Sequence, residues 1–140
     1  MFLFRNRSNR TTPARQRIVI LGGGFAGVYA ALHLEKTLAR DPDIEIVLVS
    51  RENFLLFTPM LHEVATGELA PADIVNVLRK LLRRVHLFLG DVESIDLAGR
   101  TVWVSHGEGH NHHELPFDHL VLALGGPRTS LACRGFRKGP

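Results

Sequence analysis

Cysteine is nearly missing from this chain: Cys133 is the single one in 140 residues, so neither an intramolecular disulfide nor a redox dithiol can form. That fits a reducing, cytoplasmic compartment. No apolar run approaches the roughly 18 residues of a membrane span. Met1 to Arg17 does not read as a secretory signal, because it opens with Phe2-Leu3-Phe4 but then mixes Arg with Asn, Ser and Thr and has no apolar h-region. A basic face is lacking as well. The formal charge is +3, yet nine of the 17 Lys and Arg lie at the two ends. Between Ile18 and Pro127 the chain carries 8 basic against 14 acidic residues. This footprint argues against a nucleic-acid groove. Residues 1–16 read as a basic disordered arm, solvated or at most a weak tether to an anionic membrane surface at about 1 kcal/mol per basic residue.

What remains is the composition of one globular domain, 45% hydrophobic and 22% charged with mean hydropathy +0.06. A chain of this size can build one core and leaves little room for a second site-bearing domain. Ile18-Val19-Ile20-Leu21 is a β-branched and aliphatic run that stops at Gly22-Gly23-Gly24, the pattern of a strand buried on both faces. A helix is expected from Gly24 to about Arg40, ended by Asp41-Pro42-Asp43, and a second strand over Ile44 to Val49. Strand, helix and strand then follow within about 30 residues, which predicts parallel strands and a right-handed crossover.

Gly22, Gly24 and Gly27 complete GxGxxG in that context, after a strand and opening a helix. Gly22 permits the tight turn, Gly24 lets a pyrophosphate approach the backbone, and Gly27 lets helix and strand pack closely. The helix N-terminus would face the phosphate charge. An acid usually follows at the tip of the second strand to hold a ribose, but here the tip reads Val49-Ser50-Arg51-Glu52. Ser50, 28 residues after Gly22, can hydrogen-bond a ribose, while Glu52 is expected to point elsewhere. An Arg beside a Ser also suits the 2′-phosphate of NADP, so this position alone leaves FAD and NADP both open.

The segment Arg51-Glu52-Asn53-Phe54-Leu55-Leu56-Phe57-Thr58-Pro59-Met60-Leu61-His62-Glu63-Val64-Ala65-Thr66-Gly67-Glu68-Leu69-Ala70-Pro71-Ala72-Asp73-Ile74 is far more specific. With the glycine turn and Leu115-Pro116-Phe117-Asp118-His119-Leu120-Val121-Leu122-Ala123-Leu124-Gly125, it resembles the type II NADH dehydrogenases, the pyridine nucleotide-disulfide-oxidoreductase-like flavoproteins that pass electrons from NADH to a quinone. The resemblance spans about Arg17 to Gly125. It implies an FAD-binding, Rossmann-type α/β domain over 17–125, a parallel sheet with a small antiparallel insertion near 92–119. Position by position, it implies that Gly22, Gly23, Gly24, Phe25 and Ala26 hold the pyrophosphate with Gly27 completing the cofactor-binding turn, Ser50 and Arg51 lie by the adenosine ribose, Leu55 flanks the cofactor, Val92 approaches the adenine through its backbone and Gly125 closes beside the flavin. NADH and quinone would be the partners of the complete enzyme, which in this family sits on the membrane through later segments. For this chain the implied location is the cytoplasm, at the inner face of the cytoplasmic membrane. No catalytic side chain and no metal ligand is assigned.

The remaining segments carry plainer expectations. His62 and Glu63 read as structural, since adjacent residues point apart. Thr58-Pro59 and Ala70-Pro71 read as rigid turns. Ile74, Val77, Leu78, Leu81, Leu82 and Val85 form a stripe that predicts one helix, with Arg79, Lys80, Arg83 and Arg84 on its other side. A buried strand is expected over Val85 to Leu89, a hairpin over Val92 to Asp96 and Thr101 to Ser105 with Trp103 packing, and a buried strand over Leu120 to Gly125. The His-rich stretch from Ser105 to Glu114 reads as a polar surface loop. Residues 126–140 are expected to be an irregular, truncated or frame-shifted tail. With no second GxGxxG in 140 residues, the chain alone is expected to turn over poorly. The alternatives are an NADP-binding module of another reductase and a non-catalytic remnant.

Overall fold

The computed structural model describes residues 15–107 and 111–126. Most of the basic arm, the centre of the His-rich stretch and the tail beyond Gly126 lie outside them. β1 (Gln16–Leu21) runs into α1 (Phe25–Thr37), and β2 (Ile44–Ser50) returns parallel to β1, with Ile20 opposite Leu48. The sheet is completed by β5 (His86–Leu89) beside β2 and β9 (His119–Leu122) beside β1, all parallel, in the order β5-β2-β1-β9. This is one half of a doubly wound sheet.

Successive residues of a strand face opposite sides, and β1 uses both. Ile18 and Ile20 join Ile46, Leu48, Val28, Ala31, Leu78 and Leu82 under the helical layer. Val19 and Leu21 join Val47, Val49, Val102, Val104, Leu115 and Phe117 under an antiparallel sheet. That sheet is formed by β6 (Asp91–Asp96), β7 (Thr101–His106) and β8 (Asn111–Pro116). The inserted hairpin is therefore three-stranded. Its third strand is the end of the stretch expected to be a loop, paired so that Val104 lies opposite His113 and Trp103 opposite Glu114. The burial alternation of β8, with Leu115 buried and His112 and Glu114 exposed, is a strand pattern hidden by polar composition. Trp103 stands on the outer face of β7 at 39% exposure and is not a core residue.

The stripe from Ile74 to Val85 is not one helix. Pro71–Ile74 is a 3-10 turn, β4 (Val75–Val77) pairs antiparallel with β3 (Phe54–Leu56), α3 is only Leu78–Leu81, and Leu82 leaves it in an extended conformation. Val75, Asn76 and Val77 are poor helix formers, and pairing with β3 gives their backbone groups partners that an isolated turn would lack. Ile74, Leu78, Leu82 and Val85 are nevertheless buried and Leu81 is half-buried, but Val77 is exposed, so the stripe marks most of the inward residues while misreading the backbone between them.

Thr58–Met60 and Pro71–Ile74 are 3-10 turns with Pro in their first positions, and the Asp73 carboxylate accepts from the Ala70 N–H at 3.1 Å. Between them lies α2 (Leu61–Thr66), closed by Gly67 at φ +82°. At the far edge, β9 ends at Leu122, and Leu122 and Leu124 are 61% and 49% exposed. The expected buried strand is an edge strand, because no further strand among the described residues covers it.

Candidate functional site

The turn after β1 is packed so closely at Gly22, Gly23 and Gly27 that a Cβ at any of them would clash. Gly22 has φ +110°, a conformation that favours glycine, and its N–H donates to the Val49 carbonyl at 2.8 Å. A Cβ on Gly27 would lie 1.8 Å from the Gly22 carbonyl oxygen, and one on Gly23 would lie 2.1 Å from Ser50 Oγ. Gly24 differs. A Cβ there meets nothing within 4 Å. Its backbone borders open space at the start of α1.

α1 begins with no side-chain cap and no acid in its first turn. The first N–H groups of a helix have no carbonyl one turn back to bind, and the helix dipole adds about half a positive charge at that end. The site therefore offers directed donors and positive potential to an anion.

Below and beside this turn is a cavity of about 630 Å³. Of the eleven residues expected at a cofactor site, Gly22, Gly23, Gly24, Phe25, Ser50, Arg51, Leu55, Val92 and Gly125 line it. Ala26 and Gly27 do not. Gly27 is buried against the turn and Ala26 is exposed on the first turn of α1. Ser50 is only 6% exposed, and its carbonyl accepts from the Gly90 N–H at 2.9 Å, which links the tip of β2 to the start of β6. The middle segment forms another wall. Phe54, Leu55, Leu56 and Thr58 line the cavity, and Phe57 packs edge-on against Phe25 with ring centroids 5.6 Å apart. This wall is held by the Leu78 N–H donating to the Asn53 carbonyl and the Phe57 N–H donating to that of Ile74, both at 2.8 Å.

Two lining carboxylates were not legible in the sequence as site residues. Glu52 lines the cavity rather than pointing elsewhere, and Asp91 lies 3.8 Å from Arg51 Nε at its rim. Glu52 was visible as an acid two residues past the expected place. Asp91 had no such signal, because only the parallel pairing of β2 with β5 brings the start of β6 beside the tip of β2. His62 and Glu63 are absent from the lining; they form an exposed contact of 3.7 Å, and the Glu63 carbonyl accepts from Glu68 and Leu69. Their side chains meet although adjacent residues were expected to point apart. His106 Nδ1 lies 2.7 Å from the Leu89 carbonyl oxygen, and His112 Nδ1 lies 2.8 Å from Glu93 Oε2. His106 thus ties the insertion to the end of β5 in the parallel sheet, and His112 joins β8 to β6 within the insertion.

The family profile described as pyridine nucleotide-disulphide oxidoreductase matches residues 16–139. The chain belongs to this family. The match runs past Gly125, where the resemblance was expected to stop. Among curated members, the type II NADH:quinone oxidoreductase Ndh of Mycobacterium tuberculosis is 40% identical over 116 residues, covering 81% of this chain and 24% of that protein. The demethylphylloquinone reductase NdbB of Synechocystis is 37% identical over 118 residues, covering 82% of this chain and 29% of that protein. The chain thus spans about a quarter of the length of these relatives. Among solved oxidoreductases, the sulfide:quinone oxidoreductase of Aquifex aeolicus aligns with TM-score 0.64 and 28% identity over 79% of this chain and 24% of that one. NDH2 of Plasmodium falciparum in complex with NADH aligns with TM-score 0.72 and 20% identity over 84% and 24%, a likeness of fold. As a family member the chain has the expected fold class, a Rossmann-type parallel sheet with small antiparallel sheets. Among the described residues no helix is long and apolar enough to cross a membrane.

Proposed function

We propose that the cavity holds the adenosine and pyrophosphate of FAD, and that this chain is the FAD-binding portion of an NADH:quinone oxidoreductase. The observation that carries the reading is the glycine turn, which leaves the uncapped start of α1 open at Gly24 and facing a cavity whose other wall is Ser50. The backbone N–H groups of Gly23, Gly24, Phe25 and Ala26 hold the pyrophosphate, and Gly27 keeps the helix close enough to the turn for them to do so. Ser50 and Arg51 orient the ribose, with Glu52 as a second acceptor. Leu55 supplies an apolar wall beside the cofactor, Val92 approaches the adenine through its backbone, and Gly125 closes the strand edge beside the flavin. When bound, FAD supplies the hydride acceptor and the store of two electrons. In the complete protein NADH is the donor and quinone the acceptor, as the names of the mycobacterial and cyanobacterial relatives support. We place that protein in the cytoplasm, peripheral to the membrane.

The charge of the cavity favours FAD over NADP. Arg51 is 68% exposed and already has Asp91 beside it, and Glu52 lines the same wall. A 2′-phosphate would meet two carboxylates and one guanidinium. The test is gel filtration of the 140-residue chain with added FAD, read by visible absorbance. Flavin bands that travel with the protein are expected; a folded, flavin-free protein that titrates with NADP overturns the reading. With soluble quinone, turnover of NADH by this chain alone is expected to stay below about 1 s⁻¹, an ordinary lower value for enzymes. A stopped assay for NADH oxidation checks it, and a faster rate would show that the described site suffices for both half-reactions.

A further inference from the structure

We propose that a second anion site, independent of the flavin reading, lies at the opposite end of the parallel sheet and takes a phosphate-bearing ligand. A groove of about 370 Å³ runs between the C-terminal half of α1 and the segment leading into β5, lined by Glu35, Lys36, Arg40, Leu81, Arg83 and Arg84. Gly22 follows the C-terminal end of β1, whereas Arg40 and Arg84 precede β2 and β5. Because these strands are parallel, the two sites sit at opposite edges of the sheet.

The groove concentrates positive charge in a domain that has little. It holds four of the 8 Lys and Arg between Ile18 and Pro127. Its single carboxylate does not neutralise them: one oxygen of Glu35 accepts from the backbone N–H of Arg83, at 2.8 Å, and also from that of Arg84. None of the four cations has an ion-pair partner among the described residues. Lys36 and Arg40 alone would be explained by the negative end of the α1 dipole. Arg83 and Arg84 come from a separate segment, and the Glu35 bonds fix that segment against α1 through its backbone, leaving both guanidinium groups exposed. Grouped like charges repel, and a multivalent anion removes the repulsion while accepting charge-assisted hydrogen bonds. Guanidinium groups suit phosphate oxygens in particular.

A free phosphate and a lipid headgroup share this chemistry, and the test separates them. Titration of the full chain with inorganic pyrophosphate, followed by backbone amide resonances, should move Glu35 to Arg40 and Leu81 to Arg84 saturably, whatever happens at Gly22 to Gly27. Co-sedimentation with vesicles of phosphatidylglycerol in phosphatidylcholine, against phosphatidylcholine alone, reads the lipid. Binding in either arm supports the site and names its source. Arg83→Glu with Arg84→Glu keeps the backbone N–H groups that Glu35 accepts from, and should weaken binding by at least about tenfold while leaving flavin retention unchanged. Lys36→Gln with Arg40→Gln should do the same from the other wall, which keeps the test intact if the first pair does not fold. The proposal is overturned if neither probe binds at the groove, if shifts are confined to the glycine turn, or if binding survives both pairs of substitutions.

Discussion

Gly27→Ala is expected to destabilise the domain by about 3 kcal/mol, the upper part of the range for overpacking a tight site, and to abolish flavin retention with it. The added Cβ would lie 1.8 Å from the Gly22 carbonyl oxygen and 3.4 Å from Ala123 Cβ. The first of these is backbone and has no rotamer through which to yield. Relief requires α1 to move away from the turn, which breaks the packing of Val28 and Ala31 on Ile20 and Leu48 and withdraws the helix N-terminus from the cavity. Urea unfolding checks the stability, since a lower midpoint at constant slope isolates the change. Gly24→Ala is the informative partner. Gly24 has φ −78° and nothing within 4 Å of a Cβ, so its stability should change by less than about 0.5 kcal/mol. Its flavin affinity should still fall, because the methyl group occupies the space through which the pyrophosphate approaches. Equal flavin affinity in Gly24→Ala and the parent would remove the pyrophosphate from this turn.

Leu48→Ala should cost about 2–5 kcal/mol, the range for emptying a buried leucine site. Leu48 is fully buried, opposite Ile20 in β1 and Leu87 in β5, at the centre of the helix-facing cluster. The strands on both sides are held by their own hydrogen bonds, so the cavity cannot close by a shift of one element. Against the roughly 5–15 kcal/mol typical of whole domains, such a loss leaves little margin. The check is the same urea midpoint together with a thermal melt. A change below about 1 kcal/mol would mean that the helix layer settles into the space.

The first strand-helix-strand unit was legible because local pattern and tertiary role coincide there. Ile18 to Leu21 and Ile44 to Val49 are apolar without interruption, and a strand covered on both faces requires that. The glycine spacing reported a turn whose contacts are backbone on backbone, which is why the motif survives translation into geometry at Gly22 and Gly27. The region from Ile74 to Val85 misled for the converse reason. Buried residues at Ile74, Leu78, Leu82 and Val85 repeat nearly every helical turn, yet the chain reaches those positions through a 3-10 turn, a short strand and one helical turn. Periodicity reported most of the side chains that go inward, Val77 excepted. It does not report the backbone path when a partner strand competes for the same N–H and C=O groups.

By itself the sequence determined the parallel Rossmann-type unit, the sites of tight backbone approach, the lack of any disulfide between two of these 140 residues and nine of the residues that line the cavity. Tertiary structure alone decided three further matters. It made a strand of Asn111 to Pro116, because β7 offers a paired edge to residues with no strand propensity of their own. It brought Asp91 to Arg51 across 40 positions of sequence, because β5 lies beside β2. It gathered Arg83 and Arg84 against Lys36 and Arg40, because Glu35 accepts from backbone N–H groups 48 and 49 residues away. The first needs a partner strand that composition does not announce, and the other two depend on contacts between segments distant along the chain, whose free energy is set by what the rest of the fold holds in place.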